Sequence, residues 1–231
     1  LFNNHCIFFG GSKSFYRGQF NRSIIRIPEV SNALRTAQEL IDLACSEHPS
    51  VDLFSHLHFW DEQTESDLYI TELLCNIMQW GLYQRFKKTS PLPPKFIVGP
   101  AGHSSINNLV AGKISFEELV LQSPFLQNWL KSRVTENDTQ LRVISPNPDP
   151  NQYDLLQLEN ESYIILNQNS DDPYQFLSQL NLDFRVQNFV LIGPDATPFA
   201  ESLADRKIFD FQIQASTSFD PMLSAFWQYS A

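Results

Sequence analysis

Hydrophobic residues recur at helical spacing in two long stretches of the chain and gather into short β-branched runs between them. In residues 28–44 a proline opens the pattern, and Val30, Leu34, Ala37, Leu40, Ile41 and Ala44 follow on one side, with Glu29, Arg35 and Glu39 on the other. That spacing predicts a helix with one face on a core and one in solvent. A second helix is expected over 68–86, its buried face made of Leu73, Leu74, Ile77, Met78, Leu82 and Phe86, with Trp80 and Tyr83 widening it. Arg85, Lys87 and Lys88 crowd its end, where positive charge suits the helix dipole.

Short apolar runs read as strands at 5–9, 96–98, 141–144, 163–166 and 189–192. Residues 94–120, PKFIVGPAGHSSINNLVAGKISFEELV, hold the most informative succession. Phe96, Ile97 and Val98 form a buried run, Gly99 and Pro100 interrupt it, and Ile106, Leu109 and Val110 recur at helical spacing until Gly112 stops the helix. Helix, Pro-rich connector, strand, tight turn and helix in that order predict an α/β protein with a parallel sheet. Further helices are expected at 125–134, 172–180, 198–206 and 220–229. Residues 145–152, SPNPDPNQ, form a turn-rich break at which a subdomain boundary is expected.

Composition narrows the function classes. With 231 residues, 42% of them apolar, the chain can build one substantial core. Its formal charge of −10, with 16 scattered Lys and Arg, argues against a nucleic-acid surface. No apolar run approaches the roughly 20 residues that span a bilayer. Lys13, Arg17, Arg22 and Arg26 interrupt the N-terminal region, so no signal peptide is expected there. Cys6, Cys45 and Cys75 lack metal-type spacing and cannot all pair, which favours buried thiols in a reducing, cytoplasmic compartment. His56 and His58 would share a face if HLHFW were a strand, but no third ligand stands at fixed spacing, so no metal or other cofactor is expected. The chain starts at Leu1 without a methionine, as a piece of a longer protein would.

Four segments together resemble the acyltransferase family of polyketide and fatty acid synthases, the malonyl transacylases included. FFGGSKS, from Phe8 to Ser14, stands where that family has F-P-G-Q-G-S-Q after its first strand. PEVSNALRTAQEL is similar to its next helix. PKFIVGPAGHS and VAGKIS answer P-x-x-V-x-G-H-S-L-G-E and A-A-G-x-L-S, with Pro94, Val98, Gly99, Gly112 and Ser115 in ungapped register. FVLIGP, Phe189 to Pro194, resembles the strand ending in V-G-P. The resemblance covers both ends of the chain and fades in the middle. It implies an acyltransferase fold: an α/β-hydrolase-like parallel-sheet body, residues 1–134 and 183–231, with a reduced ferredoxin-like small subdomain at 135–182.

The same register implies which chemical groups are missing. Acyl transfer needs a serine nucleophile, a histidine base, an arginine for the malonyl carboxylate and an oxyanion site. The nucleophile position, at the tip of a sharp strand-to-helix elbow, holds Ala101, and the histidine before it is replaced by Pro100. The carboxylate-binding arginine falls on Leu126, and Gly11 takes the place of the glutamine that lends an oxyanion N–H. No histidine follows His103, although the family's base lies in the middle region. A methyl group cannot attack a thioester, so the resemblance implies a scaffold without turnover.

A competing register uses Gly102-His103-Ser104 as the family's G-H-S, with Ser104 as a displaced nucleophile beside His103. It puts Ile106 where a glycine normally relaxes the turn, and β-branched residues tolerate such backbone poorly. Ser104 and Ser105 otherwise read as caps of the helix that starts there. Three functions are thus expected. The first is an inactive acyltransferase-like docking module in a polyketide synthase-type assembly line, contacting neighbouring domains, an acyl carrier protein or a separate acyltransferase. The others are an active transacylase or thioester hydrolase using Ser104, and a non-catalytic pocket for an acyl or carrier arm.

Overall fold

The computed structural model of the chain describes residues 5–9, 25–46, 51–58, 68–89, 96–100, 105–133, 154–158, 161–168, 182, 185–186, 188–192 and 212–215. The elements expected at 141–144, 172–180, 198–206 and 220–229 lie outside the described residues. In chain order the elements are β1 (His5–Phe9), α1 (Pro28–Ala44), α2 (Leu53–His58), α3 (Leu68–Thr89), β2 (Phe96–Pro100), α4 (Ser105–Val110), α5 (Phe116–Leu121), α6 (Pro124–Arg133), β3 (Asp154–Leu158), β4 (Glu161–Gln168), β5 (Asn188–Ile192) and β6 (Gln212–Ala215).

The strands form one sheet in the order β3-β4-β2-β1-β5-β6. All neighbours are parallel except β3, which runs antiparallel to β4 at the edge. Two of these strands, β3 and β4, come from the 135–182 stretch expected as a small subdomain, and β4 is bonded directly to β2. On the central strands the side chains alternate with period two. Ile7, Phe9, Ile97, Val190 and Ile192 join the cluster formed with the helices. Cys6, Phe96 and Val98 are fully buried outside that cluster, so the central strands are covered on both faces, as parallel strands generally are.

Helix α3 is the hub of the helical layer. It was expected to bury one face, but Ile70, Leu73, Leu74, Ile77, Met78, Leu82, Tyr83 and Phe86 are buried together with Thr71, Asn76 and Gln79, which covers nearly the whole circumference. A helix apolar on most sides belongs in the middle of a core rather than on its surface. Tyr83 meets Phe9 of β1 edge-on at 6.2 Å, fixing α3 against the sheet.

Helix α1 crosses α3 where a side chain is missing. A Cβ on Gly81 would lie 2.5 Å from the Val30 Cα, so the two main chains approach more closely than any larger residue allows. Beside this contact Glu29 is also buried, contrary to its expected place on the solvent side. Its carboxylate accepts a hydrogen bond from Lys88 Nζ at 3.1 Å and lies 3.7 Å from the Arg85 guanidinium. Burial raises the Glu29 pKa, but its own backbone N–H, the Lys88 hydrogen bond and the Arg85 and Lys88 charges outweigh it, leaving the group below its ordinary value.

The stretch containing His56 and His58, for which a strand was only one possibility, is helical at residues 53–58. Asp52 caps α2, accepting from the backbone N–H groups of Phe54 at 2.9 Å and Ser55 at 3.1 Å, and Leu53 and Leu57 bury one side at i, i+4 spacing. The Gln38 carboxamide of α1 ties this start down, donating to Val51 O at 2.7 Å and accepting from Leu53 N at 2.8 Å. The shared strand face on which His56 and His58 would have pointed the same way is therefore absent. No helix among the described residues is long and apolar enough to cross a membrane.

Two substitutions test this packing. Gly81→Ala gains about 1 kcal/mol of helix propensity but drives α1 and α3 apart, and is expected to lower stability by about 1–2 kcal/mol net, read from urea midpoints. An unchanged midpoint would mean that the crossing is loose. Glu29→Gln should cost about 1–2 kcal/mol at neutral pH. Because the folded pKa lies below the ordinary glutamate value of 4.5, that contribution is full above this value. It should disappear as pH falls through the lower folded pKa, so the two unfolding curves converge in acid.

Candidate functional site

Three of the four segments that carry the family resemblance become adjacent strands. FFGG leaves from β1, FIVGP is β2 and FVLIGP supplies four of the five residues of β5, in the spatial order β2-β1-β5. Phe8 is level with Val98 and Phe9 with Ile192, so all three strands end at one edge of the sheet. Their continuations, 10–24, 101–104 and 193–211, lie outside the described residues, and with them Gly11, Ala101, His103 and Ser104. Pro100 is the last residue of β2. Helix α3 reaches over the same edge, where Gln79 Nε2 donates to the Ile192 carbonyl at 3.3 Å.

Beyond β2 the chain enters α4 at Ser105, so four residues link strand and helix, with Ala101 next to the strand and Ser104 next to the helix. The far end of α4 is closed by a left-handed Gly112 at φ 69°. Its N–H donates to Leu109 O at 3.0 Å, while Lys113 N–H reaches back to Asn108 O at 2.8 Å, the paired bonds of a Schellman stop. Ser115 then caps α5 reciprocally with Glu118: Glu118 N–H donates to Ser115 Oγ at 3.0 Å and Ser115 N–H to Glu118 Oε2 at 2.7 Å. The glycine and serine that match the family's A-A-G-x-L-S therefore have local structural work in this chain. Leu126, the position implied for the carboxylate-binding arginine, is fully buried in the helical core.

A cleft of about 140 Å³ opens beside the start of α4. Tyr69, Glu72 and Asn76 of α3 line one side, and Ser105, Glu118 and Ser123 contribute polar atoms from the others. The backbone N–H of Ser115, followed by its side chain, holds the Glu118 carboxyl below its ordinary value. The cleft thus mixes apolar walls from Leu73, Ile114 and Leu119 with carboxylates from Glu72 and Glu118. Burial pushes the Cys6 thiol far above its ordinary value, and Cys45 also lies above it through burial and the Asp42 charge. Among the described residues no three His, Cys, Asp or Glu side chains cluster as metal ligands.

Asn107 of α4 had no place in the sequence reading. It is fully buried, and neither Oδ1 nor Nδ2 has a hydrogen-bond partner among the described residues. Gln79 and Asn76 were also passed over. Their signal was available: polar residues interrupting an apolar helical pattern mark places where a helix meets main-chain groups rather than side chains. His56 is brought against Phe125 at 6.3 Å, a ring contact between α2 and α6.

Neither a scan against protein-family models nor a search of curated proteins returns a match for this chain.

An unpaired buried carboxamide costs free energy that an apolar group of similar size does not. Asn107→Leu is accordingly expected to leave stability unchanged or raise it by about 1 kcal/mol in urea unfolding. A loss of about 2 kcal/mol or more would show instead that the carboxamide holds a structural partner.

Proposed function

We propose that this chain is an acyltransferase-like module without acyl-transfer activity, serving a polyketide synthase-type assembly line as a cytoplasmic docking element. In that role it holds neighbouring synthase domains, or recruits a carrier protein or a separate acyltransferase. The observation that carries the reading is the coincidence of retained frame and missing chemistry. Segments chosen for family resemblance stand as neighbouring parallel strands ending together. Yet the residue that follows β2 is Ala101, and Leu126 occupies core where the resemblance implies an arginine. A scaffold kept while its nucleophile and its carboxylate anchor are replaced by apolar residues fits a binding or docking role better than turnover.

One observation favours a second reading. Since α4 begins at Ser105, Ser104 is the residue immediately before the helix, which is also where an elbow carries its nucleophile. In that case the protein is a transacylase or thioester hydrolase with Ser104 attacking the acyl carbonyl. Incubation with malonyl- and acetyl-coenzyme A followed by intact-mass measurement separates the two. No covalent adduct is expected. An acyl adduct on the intact protein that vanishes in Ser104→Ala would replace the docking reading with the enzymatic one.

A further inference from the structure

The cleft beside α4 is a trough between two helices. Tyr69, Glu72, Leu73 and Asn76 stand at i, i+3, i+4 and i+7, a single stripe along α3, and all four line it. Glu118 and Leu119 of α5 line it from another side. Glu72 and Glu118 bring one carboxylate from each helix, and among the described residues no Lys or Arg lines the cleft. The Ser115 N–H donates to Glu118 Oε2 at 2.7 Å and holds that carboxyl below its ordinary value, so it is charged at neutral pH.

Asn76 adds what the carboxylates alone do not give. It is only 9% exposed, and its carboxamide makes no hydrogen bond to any described residue. A group so placed has given up most of its water without gaining a partner. The other buried polar side chain at the cleft, Ser123, is satisfied: its hydroxyl donates to Val120 O at 2.7 Å and accepts from the Leu126 N–H at 3.3 Å. Asn107 is unpaired too, but it is sealed in the interior, whereas Asn76 lines the cleft and is open to what enters it. An anion is repelled by this set of groups, and among the described residues no three His, Cys, Asp or Glu side chains cluster for a metal ion. An organic cation with an apolar stem suits both the carboxylates and the walls made by Leu73, Ile114 and Leu119.

We propose that the cleft between α3 and α5 binds an alkylguanidinium group, the Asn76 carboxamide oxygen accepting one of its N–H groups and the Glu72 and Glu118 carboxylates balancing its charge. A guanidinium carries five N–H donors in one plane and no acceptor, which matches a cleft rich in acceptor oxygens. It is also less strongly hydrated than an ammonium, so it enters between apolar walls more readily. The formal charge of −10 on the chain draws cations towards its surface. The same group arrives either on a free small molecule or as the arginine side chain of another protein. This site is separate from the docking role proposed above: a partner held on another surface leaves it intact.

Titration calorimetry at constant ionic strength with butylguanidinium and with a blocked arginine amide tests the proposal, the blocked citrulline amide serving as a neutral control of the same shape. One saturable site is expected for both cations, and binding of the citrulline amide at least about tenfold weaker. Asn76→Leu should weaken butylguanidinium binding at least about tenfold while leaving the far-ultraviolet spectrum unchanged. Glu118→Gln, which can still form the capping box with Ser115, should give a smaller loss and keeps the test open should Asn76→Leu fold poorly. Glu39→Gln, an equal charge change on an exposed residue of α1, should have no effect. A blocked glycine pentapeptide with a central arginine distinguishes the sources: tighter binding than butylguanidinium assigns the group to a protein partner, equal or weaker binding to a free small molecule, and both support the site. Absence of saturable binding of either cation, equal binding of the citrulline amide, or binding indifferent to both Asn76→Leu and Glu118→Gln would overturn the proposal.

Discussion

The close crossing of α1 and α3 is the constraint on which the rest of the molecule depends. Only a glycine at position 81 lets the Val30 main chain come so near, and that approach sets how deeply α3 can sink between α1 and the sheet. Once sunk, α3 is enclosed on nearly every side, so its Thr71, Asn76 and Gln79 must be accommodated in the interior or at a cleft. Gln79 finds the Ile192 carbonyl and Tyr83 finds Phe9, which couples the helix to the ends of β5 and β1. Buried ions beside the crossing are costly unless paired, and Glu29 is paired twice, by Lys88 and Arg85. Packing, polar contacts and charge thus agree on one position for α3.

That position is what gives the sheet edge its functional character. Parallel strands covered on both faces leave only their ends accessible, and helices laid across one face decide which end is walled. Here the carboxyl ends of β2, β1 and β5 are neighbours, with α3 reaching over them and α4 departing from β2. Beside this end, the start of α4 borders a cleft into which Glu72 and Glu118 bring carboxylates.

How much of this was legible in the sequence depends on how strongly burial stamps the residue pattern. Helices α1 and α3 and strands β1, β2 and β5 could be read because buried elements carry long periodic or β-branched apolar runs. β3 and β6 could not, and they are the two edge strands of the sheet: DLLQL and QIQA are short, have one neighbour each and carry no run of β-branched residues. α2 was obscured by the alternating HLHFW, whereas its N-cap, Asp52, was a readable sign of a helix start. α5 went unread, although Ser115 and Glu118 stand at capping-box spacing. At the position the resemblance assigns to the nucleophile, Ala101 could be read directly, since a residue type needs no fold to be read. The interior placing of Gln79 and Asn107 was signalled by their position in apolar helical patterns, but the partners of Gly81 and Gln79 were not visible, because each lies more than twenty residues away.

The central claim is that the frame of the elbow survives without a nucleophile. It is tested most directly by treating the folded protein with a serine-directed fluorophosphonate and locating any adduct by peptide mass spectrometry. This account requires that Ser104 and Ser105 remain unmodified under conditions that label an active serine hydrolase to completion. Stoichiometric modification of Ser104, abolished by unfolding the protein beforehand, would contradict it.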